Sequence, residues 1–118
     1  MGKSRILVCG GRDYRDRDKL FETMNYIKQW FEPYFCIIQG GANGADRLAA
    51  LWASEQGCAM IQMPANWDCY DKKAGIIRNK WMIDFAKPDL VVAFPGGTGT
   101  ANMLHHACIN NIDTYKVI

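Results

Sequence analysis

Short apolar runs that end at glycine or proline recur along this chain, and segments with helical spacing separate them. Short apolar runs bounded by turn residues are typical of strands. The apolar runs are Arg5–Cys9, Phe35–Gln39, Ala59–Met63 and Leu90–Phe94, and a fifth segment, Asp113–Val117, has the character of an edge strand. The pattern therefore predicts five short strands that alternate with helices.

Apolar residues at helical spacing mark the segments between these strands, and Asp16 and Asp18 both suit the N-cap of the first helix. The segments are one with Leu20, Met24, Ile27 and Phe31, one with Ala45, Leu48, Ala49 and Trp52, one over about 72–85, and one that Pro95–Thr100 opens and that ends near Asn110. Strand–helix alternation indicates a parallel sheet with helices on both faces. Right-handed crossovers then favour a doubly wound order of 3-2-1-4-5.

Length and composition indicate one ordinary globular domain over residues 1–118. Hydrophobic residues make up 49% and charged residues 22% of the chain, and no apolar run is long enough to span a membrane. The amino terminus has no signal-peptide core, so we expect a cytoplasmic protein. A net charge of +2 is too small to indicate nucleic-acid binding by itself. The five cysteines lack metal-ligand spacing, so we expect no metal site.

Three glycine-rich loops follow the first, second and fourth predicted strands. Because the carboxyl ends of parallel strands lie along one edge, these loops converge there, and the first and fourth strands flank the topological switch point. Glycine lets backbone N–H groups approach a ligand, and a helix N-terminus suits an anion such as phosphate. The candidate ligand-binding residues are Gly10, Gly11, Arg12 and Asp13, then Gly40, Gly41, Asn43, Gly44 and Asp46, then Gly96, Gly97, Thr98, Gly99 and Thr100.

Two common cofactor motifs are missing from these loops. The fourth-strand loop is not a GxGxxG dinucleotide motif, because no acidic residue ends a nearby second strand. No Gly-Lys-Ser/Thr sequence is present, so the loop is not a Walker A motif either. NAD binding and ATP hydrolysis are both disfavoured, and we expect no resident cofactor.

Arg78 is the best candidate for a charged contact to the ligand. It lies about one turn beyond Gly75, where the helix surface is bare, and its planar fork matches a phosphate. The competing interpretation is a surface arginine paired with Asp71 or Asp84.

Four further side chains have two interpretations each. Asp46 and Asn43 are spaced to cap the second helix, which we favour over a catalytic role for Asp46. Asp13 is suited to a ribose hydroxyl, or to folding back on its own turn. Trp67 and Tyr70 are suited to stacking on a base, or to covering an edge of the core.

Longer motifs occur in a fixed order over nearly the whole chain, and they resemble the YspA-related branch of the SLOG superfamily. They are Gly10-Gly-Arg-Asp-Tyr14, Gly40-Gly-Ala-Asn-Gly-Ala-Asp-Arg-Leu-Ala49 with Trp52-Ala53, Trp67-x-x-Tyr70-x-x-x-Ala74-Gly75-x-x-Arg78-Asn79-x-x-Met82, and Phe94-Pro-Gly-Gly-Thr-Gly-Thr100. The resemblance implies a Rossmann-like three-layer α/β/α fold that binds nucleotides or nucleotide-derived ligands, and adds Asn79 to the candidate residues. The branch has no firmly assigned reaction.

Relatives implied by this resemblance include the phosphoribohydrolases called LOG or lysine decarboxylase-like proteins, molybdenum-cofactor carriers and a DNA-processing protein. The phosphoribohydrolases carry PGGxGTxxE, whose glutamate serves glycosidic cleavage, whereas this chain has Met103 at that position. Methionine cannot transfer a proton, so cleavage of that type is in doubt. The arginine of those enzymes corresponds to Arg78.

Three hypotheses follow for the function. The first is binding or sensing of a phosphate-bearing nucleotide or nucleotide-derived ligand, such as a nucleoside phosphate or an ADP-ribose-like molecule. The second is an N-glycosidase or phosphoribohydrolase, with Asp46, Asp13 and Arg78 as weak catalytic candidates. The third, which the low net charge disfavours, is binding of single-stranded nucleic acid. Relatives with this fold often pair through helices, so a homodimer is a further expectation.

Overall fold

The structure, a computed structural model, describes residues 4–31, 35–67 and 73–118. Strands and helices alternate along these residues in the predicted order. The elements are β1 (Ser4–Cys9), α1 (Arg17–Lys28), β2 (Phe35–Gln39), α2 (Ala45–Gln56), β3 (Ala59–Gln62), α3 (Ala74–Trp81), β4 (Leu90–Ala93), α4 (Thr98–Ile109) and β5 (Asp113–Lys116).

The described strands form one parallel sheet in the order β3-β2-β1-β4-β5. Leu7 in the central strand β1 pairs with Ile38 of β2 on one side and with Val91 of β4 on the other. The edge strands β3 and β5 are exposed along their whole length. The predicted parallel α/β fold and its strand order are confirmed.

Each face of the sheet is covered by helices, because alternate residues of the buried strands point to opposite sides. Ile6 and Val8 pack with side chains of α1 and α2. Leu7 and Cys9 pack on the other face, with residues of α4 and of the segment after α3. These two cores make the three-layer α/β/α architecture that the sequence predicts.

Some helix details differ from the sequence prediction. Asp16, rather than Asp18, caps α1, since its carboxylate accepts a hydrogen bond from the Lys19 N–H at 3.0 Å. Phe31 lies beyond the end of α1, although it still packs against the core. The third helix continues after Trp81 as a π-helical turn over Met82–Ala86, where a wider turn keeps Met82 and Ile83 in the core.

Residues 4–31, 35–67 and 73–118 contain neither a candidate membrane span nor a cluster of metal-ligating side chains. None of the helices there is both long and apolar enough to cross a membrane. Their histidine, cysteine, aspartate and glutamate side chains form no group of three that could hold a metal ion.

Candidate functional site

A cavity of about 390 Å³ opens at the carboxyl end of the sheet, beside the ends of β1 and β4. Its walls come from the loop after β1, the start of α2, one face of α3 and the first turn of α4. The predicted ligand-binding residues that line it are Gly10, Gly11, Arg12, Asp46, Trp67, Arg78, Asn79, Gly97, Thr98, Gly99 and Thr100. We call this space the rim cavity.

Other predicted residues lie beside the rim cavity rather than in it. Gly40, Gly41 and Asn43 line an adjoining depression that shares Arg12 and Arg78 with it. Asp13 and Gly44 line a separate groove next to α2. Gly96 is packed under Thr100 and against the backbone of Gly10 and Gly11. Tyr70 and Asp71 lie outside the described residues.

Arg78 reaches from α3 across the rim toward the loop after β2. Its Nη1 donates to the Gly40 carbonyl at 2.7 Å, and its Nε donates to Oδ1 of Asn79 at 3.0 Å. Asp84 is bound instead by Lys80 at 2.7 Å, so the competing interpretation of an Arg78–Asp84 surface pair is wrong. Burial lowers the pKa of Arg78, the nearby Asp46 opposes that shift, and the like charge of Arg12 adds to it.

Asp46 is a buried carboxylate on the floor of the rim cavity. It accepts hydrogen bonds from the N–H groups of Gly40 and Ala42, each at 3.2 Å. Burial raises its pKa, against the lowering effects of those two N–H groups and of Arg78 and Arg12. The carboxylate is therefore held as an acceptor for the loop before α2, next to a guanidinium.

The predicted capping arrangement of Asn43 and Asp46 is not formed. Gly44 is the N-cap of α2, at φ +78°, and it makes no side-chain cap hydrogen bond. Asn43 precedes the cap and is exposed. Asp46 lies in the first turn, but its side chain turns back to the preceding loop because two N–H groups point at it there.

Asn79 is 4% exposed and joins α3 to the start of α4. Its Nδ2 donates to the Gly99 carbonyl and to Oδ1 of Asn102, both at 3.0 Å. Its Oδ1 accepts from Arg78, so one amide fixes both the arginine and the fourth-strand loop. Only the family resemblance pointed to Asn79, and Asn102 was missed because nothing in its spacing sets it apart.

The first turn of α4 forms the wall opposite Arg78. Its N-cap is Gly97, and the N–H groups of the first turn have no partners within the helix. A β-carbon added to Gly97 or to Gly99 would have no atom within 4 Å, so both glycines border open space. Such a helix terminus attracts anions through its N–H groups and its dipole.

Trp67 closes the outer side of the rim cavity. The guanidinium carbon of Arg12 lies 5.1 Å from the centroid of its ring. A β-carbon built on Gly75 would lie 3.6 Å from Cη2 of Trp67, so the ring also covers the bare helix surface there. Trp67 is 47% exposed, and it contacts the cavity rather than the interior of the core.

Cys9 lines the floor of the rim cavity, a position that the sequence did not single out. It is buried, as predicted for a cysteine in a strand, and burial raises its pKa to about 12 with a further contribution from Asp46. Its place as the last residue of β1, at the switch point, is the signal that could have identified it. The cavity also includes Val8, Ala42, Gly75, Ile76, Met82 and Asn102.

The architecture and this rim define the class of protein: a Rossmann-like α/β domain with a cavity at its topological switch point. The chain belongs to the YspA, cpYpsA-related SLOG family, whose sequence model matches residues 4–70. It is similar to the Gene 61 protein of Mycobacterium phage D29, with 32% identity over 111 residues that cover 87% of each chain. No solved structure matched the chain. Membership of this family suggests nucleotide-related binding or processing in general terms.

Proposed function

We propose that this protein binds a phosphate-bearing nucleotide or nucleotide-derived small molecule in the rim cavity. The phosphate lies on the first turn of α4, at Gly97–Thr100, and Arg78 holds it from the other side. Ribose and base extend toward the loops at Gly10–Asp13 and Gly40–Asp46, with Trp67 at the outer edge.

One observation carries this proposal: a half-buried arginine faces a glycine-lined helix N-terminus across a cavity. Arg78 uses Nη1 and Nε for Gly40 and Asn79, whereas its Nη2 makes no hydrogen bond to a described residue. An arginine edge and helix N–H groups together provide several donors for the oxygens of one phosphate. The open space at Gly97 and Gly99 lets an oxygen approach the backbone.

Hydrolysis of an N-glycosidic bond is a second candidate, favoured by Asp46 alone. That carboxyl lines the rim cavity and has a raised pKa, as a general acid requires. Met103 is fully buried in the core and does not line the cavity, so its position offers no substitute. Asp13 is exposed in the adjoining groove. Binding is the first proposal because Oδ2 of Asp46 already accepts hydrogen bonds from two N–H groups of the loop before α2.

A thermal-shift screen tests binding directly, because a ligand that binds only the folded state raises its melting temperature. The screen contains nucleoside mono- and diphosphates, cyclic nucleotides, ADP-ribose and NAD, with the unphosphorylated nucleosides as matched controls. We expect phosphorylated compounds, and not their nucleosides, to stabilise the protein. Equal behaviour of both sets would contradict a phosphate site.

Incubation of each stabilising nucleotide with the protein separates the two candidates. Release of free base, detected by chromatography and lost in Asp46→Asn, would establish the glycosidase. Recovery of intact nucleotide after prolonged incubation supports binding without cleavage.

A further inference from the structure

A groove with three arginines lies beside the rim cavity, between the loop after β1 and the first turn of α2. Its volume is about 610 Å³, and its charged residues are Arg12, Arg15, Arg47 and Asp13. The three guanidinium groups and one carboxylate leave two positive charges, which equals the formal net charge of the whole chain. The groove therefore carries a local excess of positive charge.

Among the described residues the groove arginines have no ionic partner, whereas Arg17 and Lys80 each have one. Arg17 pairs with Glu55 at 3.2 Å and Lys80 pairs with Asp84 at 2.7 Å. Among residues 4–31, 35–67 and 73–118, Arg12, Arg15 and Arg47 form no ion pair. Arginine forks that lack a carboxylate are suited to an external phosphate.

The groove and the rim cavity share one lining residue, Arg12. A β-carbon added to Gly44 would meet the carbonyl oxygens of Gly11 and Arg12, so the loops after β1 and β2 are in contact there. A ligand that reached from α4 into the groove would pass Arg12.

We propose that the groove is a second phosphate subsite, so that the ligand is a nucleotide with two separated phosphate groups. The inference rests on the proposed function, because the first phosphate is the one on α4. The second phosphate is bound by Arg15 and Arg47, while Arg12 lies between the two. A ligand of this class, such as a nucleoside bisphosphate or a phosphorylated dinucleotide, is recognised by the spacing of its charges.

The test compares matched ligands by isothermal titration calorimetry. The probes are the 5′-monophosphates and the 3′,5′-bisphosphates of the four ribonucleosides, and a single-stranded oligonucleotide. The variants are Arg15→Gln/Arg47→Gln and, as a control with the same change in net charge, Arg17→Gln/Lys80→Gln. The control removes two cations that are already paired outside the groove.

We expect a bisphosphate to bind about tenfold more tightly than its monophosphate, the gain that a charge-assisted hydrogen bond supplies. The groove variant should lose most of this ratio, and the control variant should keep it. Added salt should weaken the bisphosphate more than the monophosphate, because more charge is screened.

Other results would overturn the inference in distinguishable ways. Monophosphate binding with no gain for any bisphosphate, or a gain that persists in the groove variant, would remove the second subsite and leave the proposed function standing. Failure of every nucleotide to bind would remove both. An oligonucleotide that binds more tightly than any bisphosphate, and loses that advantage in the groove variant, would assign the groove to nucleic acid instead.

Discussion

The buried amide of Asn79 accepts a 3.0 Å hydrogen bond from Nε of Arg78, its neighbour in the chain. The same amide donates to Gly99 and Asn102 of α4. The proposed phosphate clamp and the helix terminus that it faces are therefore fixed by one side chain. Asn79 is buried, whereas Arg78 borders the cavity. Substitutions of Asn79 therefore test the stability of the fold, and substitutions of Arg78 test ligand binding.

Asn79→Ala should destabilise the fold by about 2–4 kcal/mol, because three hydrogen bonds are lost and a part-buried arginine is left without its acceptor. Denaturant unfolding measures this free energy. Asn110→Ala is the control, since that exposed amide donates one hydrogen bond to the His106 carbonyl; we expect a loss below about 1 kcal/mol. Equal losses in the two variants would show that the Asn79 network is not important for stability.

Arg78→Lys should weaken binding of a stabilising nucleotide by about tenfold or more, although the charge is kept. Lysine lacks the planar fork, so it cannot contact Asn79, Gly40 and a phosphate together. Calorimetric titration measures the affinity. Lys80→Arg on the exposed side of the same helix should bind like the parent protein, and an unchanged affinity in Arg78→Lys would exclude the clamp.

Gly97→Val should also reduce affinity by about tenfold or more while the melting temperature stays nearly constant. The side chain enters open space in the cavity, where it displaces the ligand without meeting protein atoms. Gly96→Ala is expected to lower the melting temperature while the affinity stays nearly constant, since its β-carbon would lie 2.7 Å from the Gly11 nitrogen. Overpacking of that kind costs about 1–3 kcal/mol. Similar stability losses in both variants would contradict this distinction.

Asp46 should make the free energy of unfolding fall as the pH rises. A salt-bridged carboxylate has the opposite effect, since its pKa is lowered. Its pKa is raised above 3.8 in the folded state, mainly by burial, so the folded state holds the proton more tightly than the unfolded state. The free energy of unfolding should therefore fall as the pH rises from 3.8 through the folded-state pKa. Asp46→Asn lacks this titration, so its stability relative to the parent should improve over that range.

Unfolding curves collected at successive pH values for both proteins provide the measurement for Asp46. The difference between the two free energies isolates this carboxyl from the other titrating groups. A parent protein that gains stability over the variant as the pH rises would reverse the sign and exclude a raised pKa.

Cys9 should resist alkylation even though it lines the cavity. With a pKa of about 12, only about one thiol in ten thousand is ionised at pH 8, and the side chain is 9% exposed. Exposed Cys108 should react with iodoacetamide first, as peptide mass spectrometry will show. Labelling of Cys9 as rapid as that of Cys108 would contradict the raised pKa and make Cys9 a candidate nucleophile.

Much of the fold could be predicted because its signals are local. The runs that became β1 and β4 are apolar, short and followed by glycine or proline, and the crossovers between parallel strands have a fixed hand. The π-helical turn after α3 was not predicted, since it depends on where Met82 and Ile83 meet the core. The exposure of Asn43 was missed for a similar reason: a capping motif fits more than one local geometry.

The sequence predicts the region of the candidate site but not its contacts. Three glycine loops at one sheet edge predict where the cavity lies, because the edge follows from topology alone. The contact between Asn79 and Asn102 joins residues on two helices, and no periodicity records which amide faces which. The hydrogen bonds of Asp46 to Gly40 and Ala42 likewise depend on how α2 meets the end of β2.

Gly10 has a consequence for how ligand preference can change. A β-carbon there would lie 2.6 Å from Cβ of Ala45 and 3.0 Å from Cβ of Phe94, so the floor of the cavity is already at its closest packing. Mutations that enlarge side chains of the floor therefore destabilise the fold. Changes in ligand preference are then confined to the outer wall of the cavity. Under the proposed function, Arg12 and Trp67, both exposed, are the positions where a substitution changes the ligand with the least effect on the fold.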